Sequence, residues 1–149
     1  MADFVHLHNH TEYSLLDGLQ KTKNMIEYAH SLGMKALAIT DHGNMYGTIK
    51  FYKICKEVGI KPIIGCEIYV SKRSLYDKEA GQDKDYNHLI LLAENDTGYK
   101  NLMKIVTVAY LEGYYYKPRT DLALLEKYHE GLICLSACVN GYVSEPLMR

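Results

Sequence analysis

Two histidines lie one residue apart near the start of the sequence, and an aspartate follows shortly after them. His8 and His10 come at the end of an apolar segment, 4–8, that is typical of a short β-strand. Side chains two apart on a strand point the same way, so both imidazoles could face one point if the extended backbone continues past Asn9. With the carboxylate of Asp17, they would suit a divalent transition metal. The alternative is that they are merely polar residues where a strand leaves the sheet.

The rest of the chain alternates between strand-like and helix-like patterns. We predict strands over 4–8, 35–40, 61–70, 88–94 and 132–136. We predict helices over 21–32, 45–58, 97–111 and 121–128, and the start of another within 143–149. Strands alternating with helices indicate an α/β fold with about five βα units and a parallel sheet or barrel. In such folds, functional residues collect beyond the carboxyl ends of the strands.

Further metal-binding residue types follow the predicted strands. His42 comes after the second strand, Glu67 lies late in the third, and Cys138 follows the fifth. These positions favour convergence on one rim of the sheet. His88 does not fit this scheme, because it opens the fourth strand. Asp41 is predicted to accept the ring N–H of His42, a common role beside a metal ligand.

Composition sets limits on the class of protein. The 149 residues suit one domain, with 48% hydrophobic and 23% charged residues. A net charge of −1 argues against a strongly basic nucleic-acid-binding module, although it is compatible with a local groove that binds nucleic acid. The sequence shows neither a signal peptide nor a run long enough to span a membrane, so we expect a cytoplasmic protein. The cysteines form no CxxC pair, and Cys55, Cys66 and Cys134 are expected in the core.

Several nitrogen and oxygen donors with open positions suit hydrolysis of a phosphate ester, since metal ions can clamp phosphoryl oxygens and activate water. Lys117 and Arg119, in an aromatic and basic loop over 113–120, are candidates to hold phosphate. The alternative for both is a solvated loop. Tyr114 to Tyr116 could stack on bases, but packing is the simpler expectation.

Three motifs together resemble the PHP (polymerase and histidinol phosphatase) family: His6-Leu7-His8-Asn9-His10-Thr11, Asp17-Gly18 and Thr40-Asp41-His42-Gly43. Segments 59–65, 97–102 and 109–113 narrow the resemblance to the PHP domains of bacterial DNA polymerase III alpha subunits. The resemblance implies part of a distorted (β/α)7 barrel with up to three divalent ions, zinc, manganese or iron, at one rim. It implies metal ligands at His8, His10, Asp17, His42, Glu67, His88 and Cys138. Of these, it places His10, Asp17 and His42 at the catalytic centre.

The resemblance also implies a function. We expect residues 1–149 to be the N-terminal part of a PHP domain, with the rest of the barrel and the polymerase domains outside this sequence, so that the fragment alone is inactive. The complete domain would carry 3′–5′ exonuclease chemistry within a DNA-directed DNA polymerase that uses Mg²⁺. Expected partners are DNA, sliding clamp, clamp loader and proofreading subunit. The alternatives are a non-catalytic structural module and a stand-alone PHP phosphatase.

Overall fold

The computed structural model describes residues 4–15 and 17–148 and has an α/β fold, as predicted. The elements in chain order are α1 Thr22–Ser31, β1 Ala36–Ile39, α2 Thr48–Val58, β2 Lys61–Ser71, β3 Tyr86–Ala93, α3 Asp96–Leu111, β4 Tyr114–Tyr115, β5 Lys117–Thr120, α4 Leu122–Tyr128, β6 Leu132–Leu135 and α5 Ser144–Leu147. No helix within these described ranges has the length and apolar character needed to cross a membrane.

The strands form one mixed sheet in the order β4-β5-β2-β3-β6, with β1 beside the first half of β2. Strands β1 and β5 run parallel to β2, whereas β3 is antiparallel to both β2 and β6. The prediction of a parallel sheet holds for β1, β2 and β5 but is wrong for β3. A parallel neighbour needs a crossover, usually a helix, and the segment 72–85 between β2 and β3 forms none. As a consequence, β3 starts beside the end of β2.

The two faces of β2 and β3 have different surroundings. Ile68, Leu89 and Leu91 belong to a buried cluster that also holds Leu102 and Ile105 of α3. Because side chains alternate along a strand, the residues between them point to the opposite face. Glu67, Tyr69 and His88 therefore face away from α3.

Local signals in the sequence mark three of the helix ends, whereas α2 begins at Thr48 and not at residue 45 as predicted. Asn95 caps α3, its side-chain oxygen accepting a hydrogen bond from Gly98 N at 3.0 Å. Asp121 caps α4 in the same way, with Leu124 N at 2.9 Å. Gly59 ends α2 in a left-handed conformation, φ 87°, that glycine adopts without a steric penalty.

Two segments differ from the prediction. Residues 4–8 are not a regular strand. The backbone of this N-terminal segment nevertheless bonds to β1 and the residue after it, since Ala38 N donates to His6 O at 3.0 Å and Thr40 N donates to Asn9 O at 3.0 Å. The predicted loop 113–120 is instead a hairpin of β4 and β5. Alternation failed to reveal it because its strands are short and carry a proline.

The segment 72–85 is anchored rather than a free surface loop. Arg119 is fully buried, and its guanidinium donates to the carbonyl oxygens of Leu75, Asp77, Asp83 and Gly113 at 2.7–3.3 Å. A buried charge without hydrogen-bond partners would be costly, and the carbonyl oxygens supply these partners. The same bonds tie the segment to β5.

We predict that Asp83→Asn makes the protein less sensitive to acid. Hydrogen bonds from Arg73 lower the pKa of Asp83 to about 2. A carboxyl group with a lowered folded-state pKa stabilises the fold above its unfolded pKa, and this contribution is lost as the pH falls through the folded value. Urea unfolding between about pH 5 and pH 2 should therefore show a smaller loss of unfolding free energy in the variant than in the wild type.

The exposed neighbour Asp85 provides a matched control for that measurement. Asp85→Asn should keep the acid dependence of the wild type. The same dependence in all three proteins would contradict a stabilising role for the Arg73–Asp83 pair.

Candidate metal centre

The centre is organised around one buried carboxylate. Glu67 is 1% exposed and lies among four histidines. Its Oε2 is 2.6 Å from Nε2 of both His8 and His10, and 3.8 Å from Nε2 of His42. Its Oε1 is 3.2 Å from Nδ1 of His88. Glu67 therefore joins residues from the N-terminal segment, the end of β1 and the start of β3.

A second carboxylate closes the other side of the cluster. Asp17 Oδ2 lies 2.6 Å from His10 Nδ1 and 3.4 Å from His42 Nε2. Ser14 orients Asp17, because its hydroxyl donates to Asp17 Oδ1 at 2.6 Å. The same hydroxyl oxygen accepts the backbone N–H of His42 at 3.1 Å, so the loop 11–18 and the end of β1 hold each other in place.

Backbone pairing sets the positions of these side chains. Beyond β1, residues 40–43 (the β1 extension) continue beside β2, with Glu67 N donating to Asp41 O at 3.1 Å and Gly43 N donating to Glu67 O at 2.8 Å. His42 is thereby fixed next to Glu67. Gly43 has φ 63°, and a Cβ there would lie 2.7 Å from the ring of Tyr69. Position 43 therefore requires glycine, which has no Cβ and adopts this φ without a steric penalty.

His88 reaches the rim because β3 is antiparallel to β2. The register places His88 opposite Tyr69, two residues past Glu67. The backbone of His88 is held by the later segment, since His88 N donates to Asn140 O at 3.2 Å. This pairing brings Cys138 alongside, with its Sγ 3.7 Å from His88 Nδ1.

The charges of the cluster support one another. Burial alone would raise the pKa of Glu67, but hydrogen bonds from His10 and His88 and the charge of His42 lower it strongly. Burial alone would lower the pKa of His10, yet its contacts with Glu67 and Asp17 raise it. Burial lowers the pKa of His42, which favours its neutral form. The cluster thus combines ionised carboxylates with imidazoles of differing basicity.

The donor set fits divalent metal ions. Three overlapping groups each bring their donor atoms within 4.8 Å of one another: His8, His10 and Glu67; His10, Asp17 and His42; His42, Glu67 and His88. Imidazole nitrogens and carboxylate oxygens are ligands of zinc, manganese and iron. The buried His88 Nε2 also has no hydrogen-bond partner among the described residues, as expected for a group reserved for a ligand.

Other predicted site residues have different outcomes. Lys117 lies near the cluster, with Nζ 5.5 Å from the ring centre of Tyr69, which in turn stacks on His42. Arg119 is not available to phosphate, because its buried guanidinium is committed to backbone carbonyls; we correct that assignment. Asp41 does not accept the ring N–H of His42, since its oxygens bind the N–H and hydroxyl of Thr11.

The predictions for the cysteines also have different outcomes. Cys55 and Cys66 are buried as expected, whereas Cys134 is exposed because β6 lies at the edge of the sheet. Sequence reasoning missed Tyr69 and Tyr86, whose rings line the cluster beside His88. That both tyrosines lie on the same face of the sheet as Glu67 and His88, and next to each other, becomes visible only once the register of β2 and β3 is known.

Comparison with known proteins adds the family context. A family model described as "PHP domain" matches residues 6–149. The chain is 52% identical over 147 residues to a DNA polymerase III subunit alpha of Treponema pallidum, covering 98% of this chain and 13% of the relative. It is 54% identical over 145 residues to the corresponding subunit of Aquifex aeolicus, covering 93% and 12%. The chain spans about an eighth of the length of these relatives.

Two solved structures are more distant. A protein described as a metal-dependent phosphoesterase from Bifidobacterium adolescentis has a TM-score of 0.48 and 18% identity, covering 73% of this chain and 35% of the other. An amidohydrolase from Chromobacterium violaceum has a TM-score of 0.48 and 22% identity, covering 70% and 33%.

We predict that Thr11→Val destabilises the fold by about 1–3 kcal/mol, because the buried Asp41 carboxylate would lose the Thr11 hydroxyl at 2.9 Å. The unfolding free energy from urea denaturation measures this loss. Thr107→Val, on the exposed face of α3, is the matched control and should change stability by less than about 0.5 kcal/mol. Equal losses in both variants would contradict a special role for the Thr11–Asp41 pair.

Proposed function

The chain belongs to the PHP domain family, and we propose that it is the PHP-domain portion of a bacterial DNA polymerase III alpha subunit. In this proposal the cluster around Glu67 binds divalent metal ions and hydrolyses phosphodiesters at a DNA 3′ end. The family match over residues 6–149 and the identity to alpha subunits support it.

One observation carries the metal-binding part of the proposal. The Nε2 atoms of His8 and His10 lie 3.2 Å apart, and each is 2.6 Å from the same Oε2 of Glu67. Three donor atoms that converge on one point from separate parts of the chain are expected of a metal site.

Each residue has a proposed role. The metal ligands would be His8, His10, Asp17, His42, Glu67, His88 and Cys138, in a site for up to three ions. Asp17 holds the Nδ1 side of His10 and so directs Nε2 towards Glu67. His42, whose pKa is lowered by burial, stays neutral and able to ligate near neutral pH. Lys117 offers a positive charge to the substrate phosphate.

The chemistry follows from this arrangement. Divalent metals, once bound, polarise phosphoryl oxygens and lower the pKa of coordinated water. The protein holds their ligands rigidly through the pairing of the β1 extension, β2 and β3.

The wider role concerns the complete protein. The chain spans only about an eighth of the length of its relatives. We therefore propose DNA polymerisation with Mg²⁺, DNA binding and a cytoplasmic location for the parent protein only. Sliding clamp, clamp loader and proofreading subunit are its proposed partners.

A non-catalytic structural module is the second candidate. The carboxylates of Glu67 and Asp17 already have imidazole partners, so the cluster can serve as an ion-pair network that joins three chain segments. The two candidates differ in metal content and in hydrolysis.

We predict that the purified protein, supplied with Zn²⁺ or Mn²⁺, retains divalent metal after desalting. His10→Ala should lose at least one metal per chain, because His10 belongs to two of the three donor groups. Elemental analysis of protein and metal in the same sample measures the ratio.

The matched control is His30→Ala, an exposed histidine in the last turn of α1. It should keep the wild-type metal content. A wild type without retained metal would favour the structural module instead.

We predict that the complete protein shortens a single-stranded oligonucleotide from its 3′ end, and that a chelator stops this reaction until metal is restored. His10→Ala should reduce the rate by about 100-fold or more, given that loss of even a supporting residue at a metal site costs 10–100-fold. Gel analysis of a 5′-labelled oligonucleotide follows the products.

His30→Ala again serves as the control and should leave the rate unchanged. Unchanged digestion by the His10→Ala variant would refute catalysis at this cluster. Faster hydrolysis of a simple phosphomonoester than of the oligonucleotide would favour a phosphatase.

A further inference from the structure

A polar cavity of about 400 Å³ adjoins the metal centre. The two share His88, which contacts Glu67 on one side and lines the cavity on the other. A group bound in the cavity would thus lie beside any phosphate held at the cluster. The volume falls within the range typical of small-molecule sites.

The aromatic part of the lining is held rigidly. The ring of Tyr86 stacks on His88, with centres 5.7 Å apart and an angle of 25° between the planes. Tyr86 also packs edge-to-face with Tyr69, with ring centres 4.9 Å apart and an angle of 74° between the planes. Tyr86 is half-buried, so part of its side chain remains accessible from the cavity. A flat aromatic surface fixed in this way is suited to stacking on a planar ligand.

The remainder of the lining is polar and balanced in charge. Lys84 and Asp85 are exposed at the cavity, and Lys72 is paired with Glu145. The Asn87 side chain donates to Asn140 O at 3.2 Å, which fixes a hydrogen-bonding amide in the wall. Such a lining favours a neutral ring with several donors and acceptors over an aliphatic group or a second phosphate.

We propose that this cavity binds the base of the terminal nucleotide, with Tyr86 stacking on it while the phosphate lies at the metal centre. The inference rests on the proposed function, because it places the phosphate at the cluster around Glu67. It extends that function by identifying the feature of the substrate that is recognised: a nucleobase rather than a sugar phosphate alone.

The test compares thymidine 5′-monophosphate with 2-deoxyribose 5-phosphate, which has a hydroxyl group in place of the base. Isothermal titration calorimetry on the complete, metal-supplied protein gives a Kd for each. We expect the nucleotide to bind roughly tenfold more tightly, as stacking of one base on an aromatic side chain would produce. Tyr86→Leu should abolish this difference, and Tyr86→Phe should retain it.

Tyr28→Leu, at an exposed position on α1, is the matched control and should keep the tenfold ratio. Equal affinity for the two ligands in the wild type, an unchanged ratio in Tyr86→Leu, or no binding of either ligand would overturn the inference. Metal content and hydrolysis are measured on the same samples. A preserved base preference in a protein that hydrolyses nothing would refute the catalytic function and leave the base site standing.

Discussion

The buried carboxylate of Glu67 is the constraint on which the site depends. An ionised carboxylate placed away from water is costly unless positive or hydrogen-bonding groups surround it. Here those groups are imidazoles from separate parts of the chain, at 2.6 Å for His8 and His10 and at 3.2 Å for His88. The strand pairing that buries Glu67 is also what brings the imidazoles to it.

Several supporting contacts follow from that arrangement. The β1 extension must run beside β2 to place His42, and Asp41 is buried as a result. Its carboxylate, whose pKa is raised by burial, is satisfied by Thr11, which in turn secures the loop that carries Asp17. On β5, which pairs with β2 along the same edge as the β1 extension, Arg119 performs a comparable task by binding the carbonyls of segment 72–85. The backbone around the cluster is thus held by hydrogen bonds to buried charged side chains.

The same geometry links the proposed chemistry to substrate recognition. The wall formed by Tyr69, Tyr86 and His88 begins at the cluster and ends in the polar cavity. The Nζ atom of Lys117 lies 5.5 Å from the ring centre of Tyr69. In the proposed mode of binding, a phosphate at the cluster would have the positive charge of Lys117 near it and the proposed base site beside it. The structural alternative uses the cluster but gives no role to this wall.

Local signals in the sequence were sufficient for most element types and for the residue types that gather at the rim, because these depend on neighbouring residues. Segments 4–8 and 113–120 are the exceptions. Long-range pairing was not predictable in this way. The antiparallel direction of β3 carries His88 to the rim, although sequence order had placed it at the far end of a parallel strand. Burial likewise turned Arg119 into an internal anchor, and the edge position of β6 exposed Cys134. Strand direction and burial depend on contacts between residues far apart in the chain, and periodicity reports only on near neighbours.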